Sequence, residues 1–307
     1  MIQKIIIGTR GSQLALWQTN WVKSQMEKRY PGIEVEIKVI STRGDRVLDV
    51  SLPKLGEQGK GLFTKELEDA LFERRVDLAV HSLKDLPTEL PPGLHIGAIC
   101  EREDARDALV ARNPITSFNE LPERALIGTS SLRRQAQLKS MRPDLVIEPV
   151  RGNVDTRLRK LDEGRYDAIV LAAAGLYRLG HANRITEHLS EDLMLPAVGQ
   201  GALAIETRED DAPTAEIIHA LNHEATRLAC SAERAFLKGL GGGCLVPIAA
   251  HATIESDVMT LNGLVASPDG LEIVRDQQSG QSEDAELLGR QLADELLARG
   301  AVRILRR

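Results

Sequence analysis

Five short aliphatic runs each end in a cluster of small, hydroxyl and cationic residues, and this pattern limits the folds open to the chain. Lys4 to Gly8 leads into Thr9-Arg10-Gly11-Ser12, and Asp77 to Val80 leads into His81-Ser82-Leu83-Lys84-Asp85-Leu86-Pro87. Ala125 to Gly128 leads into Thr129-Ser130-Ser131-Leu132-Arg133-Arg134, Leu145 to Val150 into Arg151-Gly152-Asn153, and Asp167 to Leu171 into Ala172 through Arg178. Helical patterns lie between these runs, so the first two thirds of the chain predict a mostly parallel sheet covered by helices. Ligands of open α/β sheets bind beyond the carboxyl ends of the strands, where helix N-termini also offer free amide donors to anions. At any one end, Ser and Thr can be helix caps and the cations merely solvated. Five such ends together weigh toward an anion-binding face.

At 307 residues the chain is long enough for two or three domains. Lys and Arg total 39 against 45 Asp and Glu, a formal charge of −6, which argues against a general nucleic-acid or membrane-surface binder. Any basic site must be local. No apolar run is long enough to span a bilayer and the N-terminus lacks a signal-peptide core, so the expected location is cytoplasmic. Cys100, Cys230 and Cys244 are widely spaced and odd in number, which fits neither a disulfide framework nor a zinc site, so no metal is expected.

Organisation changes along the chain. Boundaries are expected near Cys100 to Asp104 and in the Gly- and Pro-rich stretch Leu195 to Gly201. From about Asn222 the pattern becomes a helix, a Gly-rich loop, strand-like runs such as Met259 to Val265, a turn at Ser267-Pro268-Asp269-Gly270, and an amphipathic helix from Asp284 to Arg299. This predicts a small α+β domain. After Asn153, Val154, Leu158 and Leu161 form an apolar stripe with Arg157 at its border, where a cation either snorkels or lines a cleft. Ile-Gly-Thr occurs at both Ile7 and Ile127, a hint of a shared plan.

Three features carry candidate chemistry. Gly241, Gly242 and Gly243 precede Cys244, and Pro247 follows, so the loop reads either as a tight turn beside an ordinary cysteine or as a reactive thiol open to a large ligand. A cysteine hydrolase would need an activating His, and none of the seven histidines lies in a hydrolase signature, which leaves a covalent anchor as the other chemical use. Asp85, beside Lys84, can act as acid, base or stabiliser of a developing cation, or simply cap a turn. Lys54 and the stretch Gly56 to Phe63 lack a phosphate-loop ending and suit a mobile lid or a solvated linker.

Taken together, Thr9-Arg10-Gly11-Ser12, Thr42-Arg43-Gly44-Asp45, Gly59-Lys60-Gly61-Leu62-Phe63, His81-Ser82-Leu83-Lys84-Asp85, Gly128 to Arg134, Arg151-Gly152-Asn153-Val154, Leu195 to Gly201 and Gly242-Gly243-Cys244 resemble the porphobilinogen deaminase (hydroxymethylbilane synthase) family. These eight blocks follow the family's order over nearly the whole chain. The resemblance implies two domains like those of periplasmic binding proteins, with mixed, mostly parallel sheets around a cleft, and a small α+β C-terminal domain. Implied boundaries are 1–101 with 198–219, 102–197, and 220–307.

The same resemblance implies a transferase that deaminates four porphobilinogen molecules and joins them head to tail, then releases hydroxymethylbilane by hydrolysis. It implies a dipyrromethane cofactor held by a thioether to Cys244, with Cys100 and Cys230 as structural thiols. Asp85 is the implied catalytic residue, set against pyrrole nitrogens. Arg10, Ser12, Lys60, Lys84, Thr129, Ser131, Arg133, Arg134, Arg151, Arg157, Arg178 and Gln200 are the implied cofactor and substrate binders, because acetate and propionate groups call for planar, bidentate or hydroxyl donors. Lys54, Gly59, Gly61 and Phe63 are the implied lid, lengthened here by Glu57 and Gln58, and Asp155 departs from the usual small residue after Asn153. A monomer acting on a small molecule is expected. Two other readings use the same residues differently: an anion receptor would need neither Asp85 nor Cys244, and a cysteine hydrolase or acyltransferase would show an acyl adduct and a His-dependent rate, and a pyrrole adduct on Cys244 would exclude it.

Overall fold

The computed structural model describes residues 3–46, 64–242 and 246–306. The chain divides into two compact units, one of residues 1–103 and 202–227 and the other of 104–201 and 228–307.

In the first unit, strands β1 (Lys4–Thr9), β2 (Glu34–Val39), β3 (Leu78–Ser82), β4 (Leu94–Ile99) and β10 (Leu203–Arg208) form one sheet in the order β2-β1-β3-β10-β4. The β1 strand pairs in parallel with β2 and β3, whereas β10 runs antiparallel to β3 and β4. The central β3 is buried over Leu78 to His81, as expected of a strand covered on both faces. One face packs Val22 and Met26 of the helix Gln13–Arg29 against Ile5, Ile7, Val35, Leu78 and Val80. The other carries Leu67, Ala70 and Leu71 of the helix Lys65–Phe72, clustered with Ile40, Val76, Ala79 and Leu94. Each fully buried aliphatic side chain here contributes roughly 1.5–3 kcal/mol.

The second unit repeats the plan. Strands β5 (Asp107–Ala111), β6 (Leu126–Gly128), β7 (Val146–Glu148), β8 (Ala168–Ala172) and β9 (Glu187–His188) follow the order β7-β6-β8-β5-β9. Again one strand, β6, pairs in parallel with two neighbours, and again one, β5, is antiparallel to two. The two copies of Ile-Gly-Thr sit at equivalent places, leaving β1 and β6, which explains their recurrence in the sequence.

The same unit holds an antiparallel sheet of β11 (Ile248–Glu255), β12 (Val258–Ala266) and β13 (Ile273–Gln281), in that order. Phe236 of the helix Glu224–Gly239 and Leu288, Leu292 and Leu296 of the helix Ala285–Leu296 fill its core against Met259, Leu261 and Val265. Glu233, fully buried, ties this core together: its two carboxylate oxygens accept from Gly199 N at 2.7 Å and Ala252 N at 3.0 Å.

Candidate active site

Each sequence-predicted strand end is a turn from a strand into a helix, and hydroxyls fix several of these turns. After β1, Ser12 Oγ caps the helix Gln13–Arg29 by accepting from Ala15 N at 3.2 Å, and the hydroxyl of Thr19 donates to that of Thr9 at 2.7 Å. After β6, Ser131 Oγ accepts from Arg134 N at 3.4 Å at the start of the helix Leu132–Met141. After β7, Asn153 caps the helix Val154–Asp162 through Thr156 N at 2.9 Å. The capping role of these side chains is therefore real, and capping holds the neighbouring cations at the strand ends.

In the first unit Arg10, Ser12, Gln18, Thr64, His81, Ser82 and Asp85 line one pocket. The end of β3 passes into a single helical turn, Leu83–Asp85, whose Leu83 is buried while Lys84 and Asp85 are exposed. Burying Leu83 anchors the turn and leaves the Asp85 carboxylate at the pocket. Gln18 Nε2 donates to Ser82 Oγ at 2.9 Å across the same wall. His81 is 6% exposed, and its Nε2 lies 2.9 Å from Oε2 of the wholly buried Glu206 on β10. Hydroxyl, guanidinium and carboxylate groups thus converge on one concavity. That donor set suits a ligand carrying both carboxylates and N–H groups.

In the second unit two of the predicted basic residues, Arg133 and Arg134, converge on an acid that the sequence reading did not single out. Asp107, the first residue of β5, is completely buried. Its Oδ2 lies 2.7 Å from Arg133 Nη1, and its Oδ1 accepts from Arg134 Nη2 at 2.7 Å, from Arg134 Nε at 3.1 Å and from Gln200 Nε2 at 2.9 Å. Arg133 Nη1 also donates to the Leu195 carbonyl at 2.7 Å, and Arg134 Nη1 to the Val170 carbonyl at 2.9 Å. Burial acts to raise the Asp107 pKa, but the guanidinium groups of Arg133 and Arg134 outweigh it and hold the carboxyl well below the usual carboxylate range. Two buried cations against one anion leave this cluster with an excess positive charge, a disposition suited to receiving a further carboxylate.

The other predicted residues sit as follows. Thr129 is buried, and its hydroxyl accepts from Ser131 N at 3.2 Å. Arg151 and Arg157 are half-buried at the β7 end, with Arg157 Nε donating to the Gly152 carbonyl at 2.8 Å. Arg178, 8% exposed, closes the helix Ala173–Arg178 and donates to the Gly201 carbonyl at 2.6 Å. Asp155 accepts from or shares a proton with His181 Nε2 at 2.9 Å, which gives that departure from the family pattern a partner. Cys100 and Cys230 are buried thiols outside any disulfide. Cys244 and the lid residues Lys54, Gly59, Lys60, Gly61 and Phe63 lie outside the described residues. Among the described residues no cluster of His, Cys, Asp and Glu could hold a metal ion, and no helix is long and apolar enough to cross a membrane.

The family model for the porphobilinogen deaminase dipyromethane cofactor binding domain matches residues 5–216, and that for the porphobilinogen deaminase C-terminal domain matches residues 227–298. The chain belongs to the porphobilinogen deaminase family. The porphobilinogen deaminase of Trichlorobacter lovleyi is 54% identical over 303 residues, covering 99% of this chain and 96% of its own length. That of Geobacter sulfurreducens is 55% identical over 304 residues, covering 99% and 94%. Among solved structures, the second substrate-binding domain of a putative amino-acid ABC transporter from Streptococcus pneumoniae is 14% identical, covers 78% of this chain and 95% of that one, and has a TM-score of 0.44. In this chain Asp107 adds a buried support to Arg133, Arg134 and Gln200, which the sequence motifs single out. The signal for Asp107 was a charged residue opening the apolar run Ala108-Leu109-Val110, which an unpaired carboxylate could not occupy.

Proposed function

We propose that this chain condenses four porphobilinogen molecules into hydroxymethylbilane with loss of ammonia, on a dipyrromethane joined to Cys244. The observation that carries the reading is the pocket where Asp85 stands with Arg10 and Ser12, in a chain of this family. Its donors fit the proposed cofactor and substrate, whose acetate and propionate arms need cations and hydroxyls and whose pyrrole N–H groups need an acceptor. When bound, the dipyrromethane supplies the ring carbon to which the first porphobilinogen is joined.

The chain's own residues do the rest. Arg10 and Ser12 hold carboxylates at the β1 end, with Lys84 beside them and Lys60 from the lid that Lys54, Gly59, Gly61 and Phe63 complete. Thr129, Ser131, Arg133, Arg151, Arg157 and Arg178 take further carboxylates of the lengthening product. Arg134 and Gln200 bind cofactor or substrate as well, held in place by their bonds to Asp107. Asp85 offers a fixed negative charge to pyrrole nitrogens, stabilising the cationic character that develops when ammonia departs. The enzyme works as a cytoplasmic monomer without nucleic acid or membrane.

Intact-protein mass spectrometry under denaturing conditions tests the reading. Active protein should be heavier than its polypeptide by one dipyrromethane, and Cys244→Ser should lack that increment and all turnover. An active preparation at the bare polypeptide mass would overturn it.

A further inference from the structure

The Asp85 pocket has a second titratable group in its wall. His81 lines it, and the Nε2 edge of the imidazole is committed to Glu206, a carboxylate with no exposed surface whose other oxygen, Oε1, makes no hydrogen bond among the described residues. A buried carboxylate costs several kcal/mol unless a cation or strong donors compensate it. Among the described residues, His81 hydrogen-bonds to it, and Glu68, which the helix Lys65–Phe72 carries and which is itself 8% exposed, interacts with it electrostatically. Burial, reinforced by Glu206, pushes the Glu68 carboxyl upward, so Glu68 takes a proton more readily than an ordinary glutamate.

We propose that His81, oriented by Glu206, is the base that removes the ring proton in each condensation, receiving it at Nδ1. A neutral imidazole whose Nε2–H donates to a carboxylate presents an acceptor at Nδ1, and the carboxylate then stabilises the imidazolium that forms. Among the described residues, the charged and titratable groups around His81 are Glu206 from β10, Glu68 from the helix Lys65–Phe72, and Arg10 and Asp85, which line the same pocket.

The chemistry needs such a group. In each condensation a bond forms between a pyrrole ring carbon and the methylene that carried the amine, and the C–N pair departs on ammonia. A π pair of the ring forms the new bond, and the C–H pair of the same carbon then returns to the ring. The proton passes to His81 Nδ1 and then to ammonia, which leaves as ammonium, so no co-reactant is consumed.

The inference rests on the function proposed above, and porphobilinogen deuterated at its free ring carbon separates the two. In His81→Gln carrying the normal mass increment, turnover should fall by roughly 10²-fold or more, and the isotope effect on turnover should grow as proton removal becomes limiting. An unchanged rate or isotope effect in that variant overturns the role of His81 and leaves the proposed function standing; failure of the unmodified protein to form product overturns the function itself. Nitrogen-15 NMR of histidine-labelled, cofactor-loaded protein should show His81 as the Nε2–H tautomer, a preference that Glu206→Gln removes. Should His81→Gln fail to fold, this spectrum decides, because an Nδ1–H tautomer in the unmodified protein refutes the proposal.

Discussion

Asp107 Oδ2 lies 2.7 Å from Arg133 Nη1, with Asp107 wholly buried and Arg133 only 6% exposed. Arg134 holds the other oxygen, so one carboxylate compensates two buried guanidinium groups. Asp107→Asn keeps the shape but removes the charge, and should destabilise the protein by about 3–5 kcal/mol, as breaking a buried ion pair does. Denaturant unfolding at neutral pH measures this.

The same residue makes a pH prediction. Its folded pKa lies below its unfolded one, so the stability it confers is present above the unfolded value, about 3.9, and drains away as the pH falls below it. Asp107→Asn should therefore flatten the acid limb of the stability profile. A variant whose acid limb matches the parent's would show that other carboxylates carry it.

Glu68 should behave in the opposite sense. Its pKa is raised, chiefly by burial, so the folded state holds its proton more tightly than the unfolded chain. Stability then falls as the pH climbs through the range where the unfolded Glu68 has already ionised. Glu68→Gln should be more stable than the parent at pH 8 and show a smaller difference near pH 4, as read from thermal unfolding at both values.

Much of this was legible in the sequence because period and punctuation are local signals. The helix Val154–Asp162 follows from its Asn153 cap and its Leu158 and Leu161 stripe, and both leucines are buried as that stripe requires. Recurrence of Ile-Gly-Thr marks equivalent strands of two sheets with the same order. What stayed hidden depends on long-range pairing. Glu206 meets His81 only because β10, some 125 residues further along, inserts antiparallel between β3 and β4. Asp107 likewise takes its meaning from arginines on a different element, which no spacing rule connects to it.

Close helix packing supplies another test. A Cβ on Gly289 of the helix Ala285–Leu296 would lie 2.3 Å from the Ala232 carbonyl oxygen and 2.9 Å from Phe236 N, both backbone atoms of the facing helix. Neither can turn aside as a side chain would. Gly289→Ala gains helix propensity of up to about 1 kcal/mol, yet the overlap should cost more than that gain, typically 1–3 kcal/mol for overpacking. A lowered melting temperature is expected; an unchanged or raised one would mean that the helices part without penalty.

Asp85 gives the sharpest separation of stability from chemistry. Its side chain is exposed at the end of a turn that Leu83 anchors, so Asp85→Asn should change stability by no more than about 0.5 kcal/mol. The amide nearly matches the carboxylate in size and can still accept a hydrogen bond from a pyrrole N–H. What it lacks is charge. If Asp85 stabilises a developing cation, the variant should carry the full dipyrromethane mass and bind substrate, while turnover falls by about 10²–10³-fold, the loss usual when one preorganised electrostatic partner is removed. A proportional fall in kcat and kcat/KM would place the lost interaction in the transition state; a raised KM with unchanged kcat would reduce Asp85 to a binding contact. Asp85→Glu, which restores the charge at a longer reach, should recover part of the rate only if charge is the operative property.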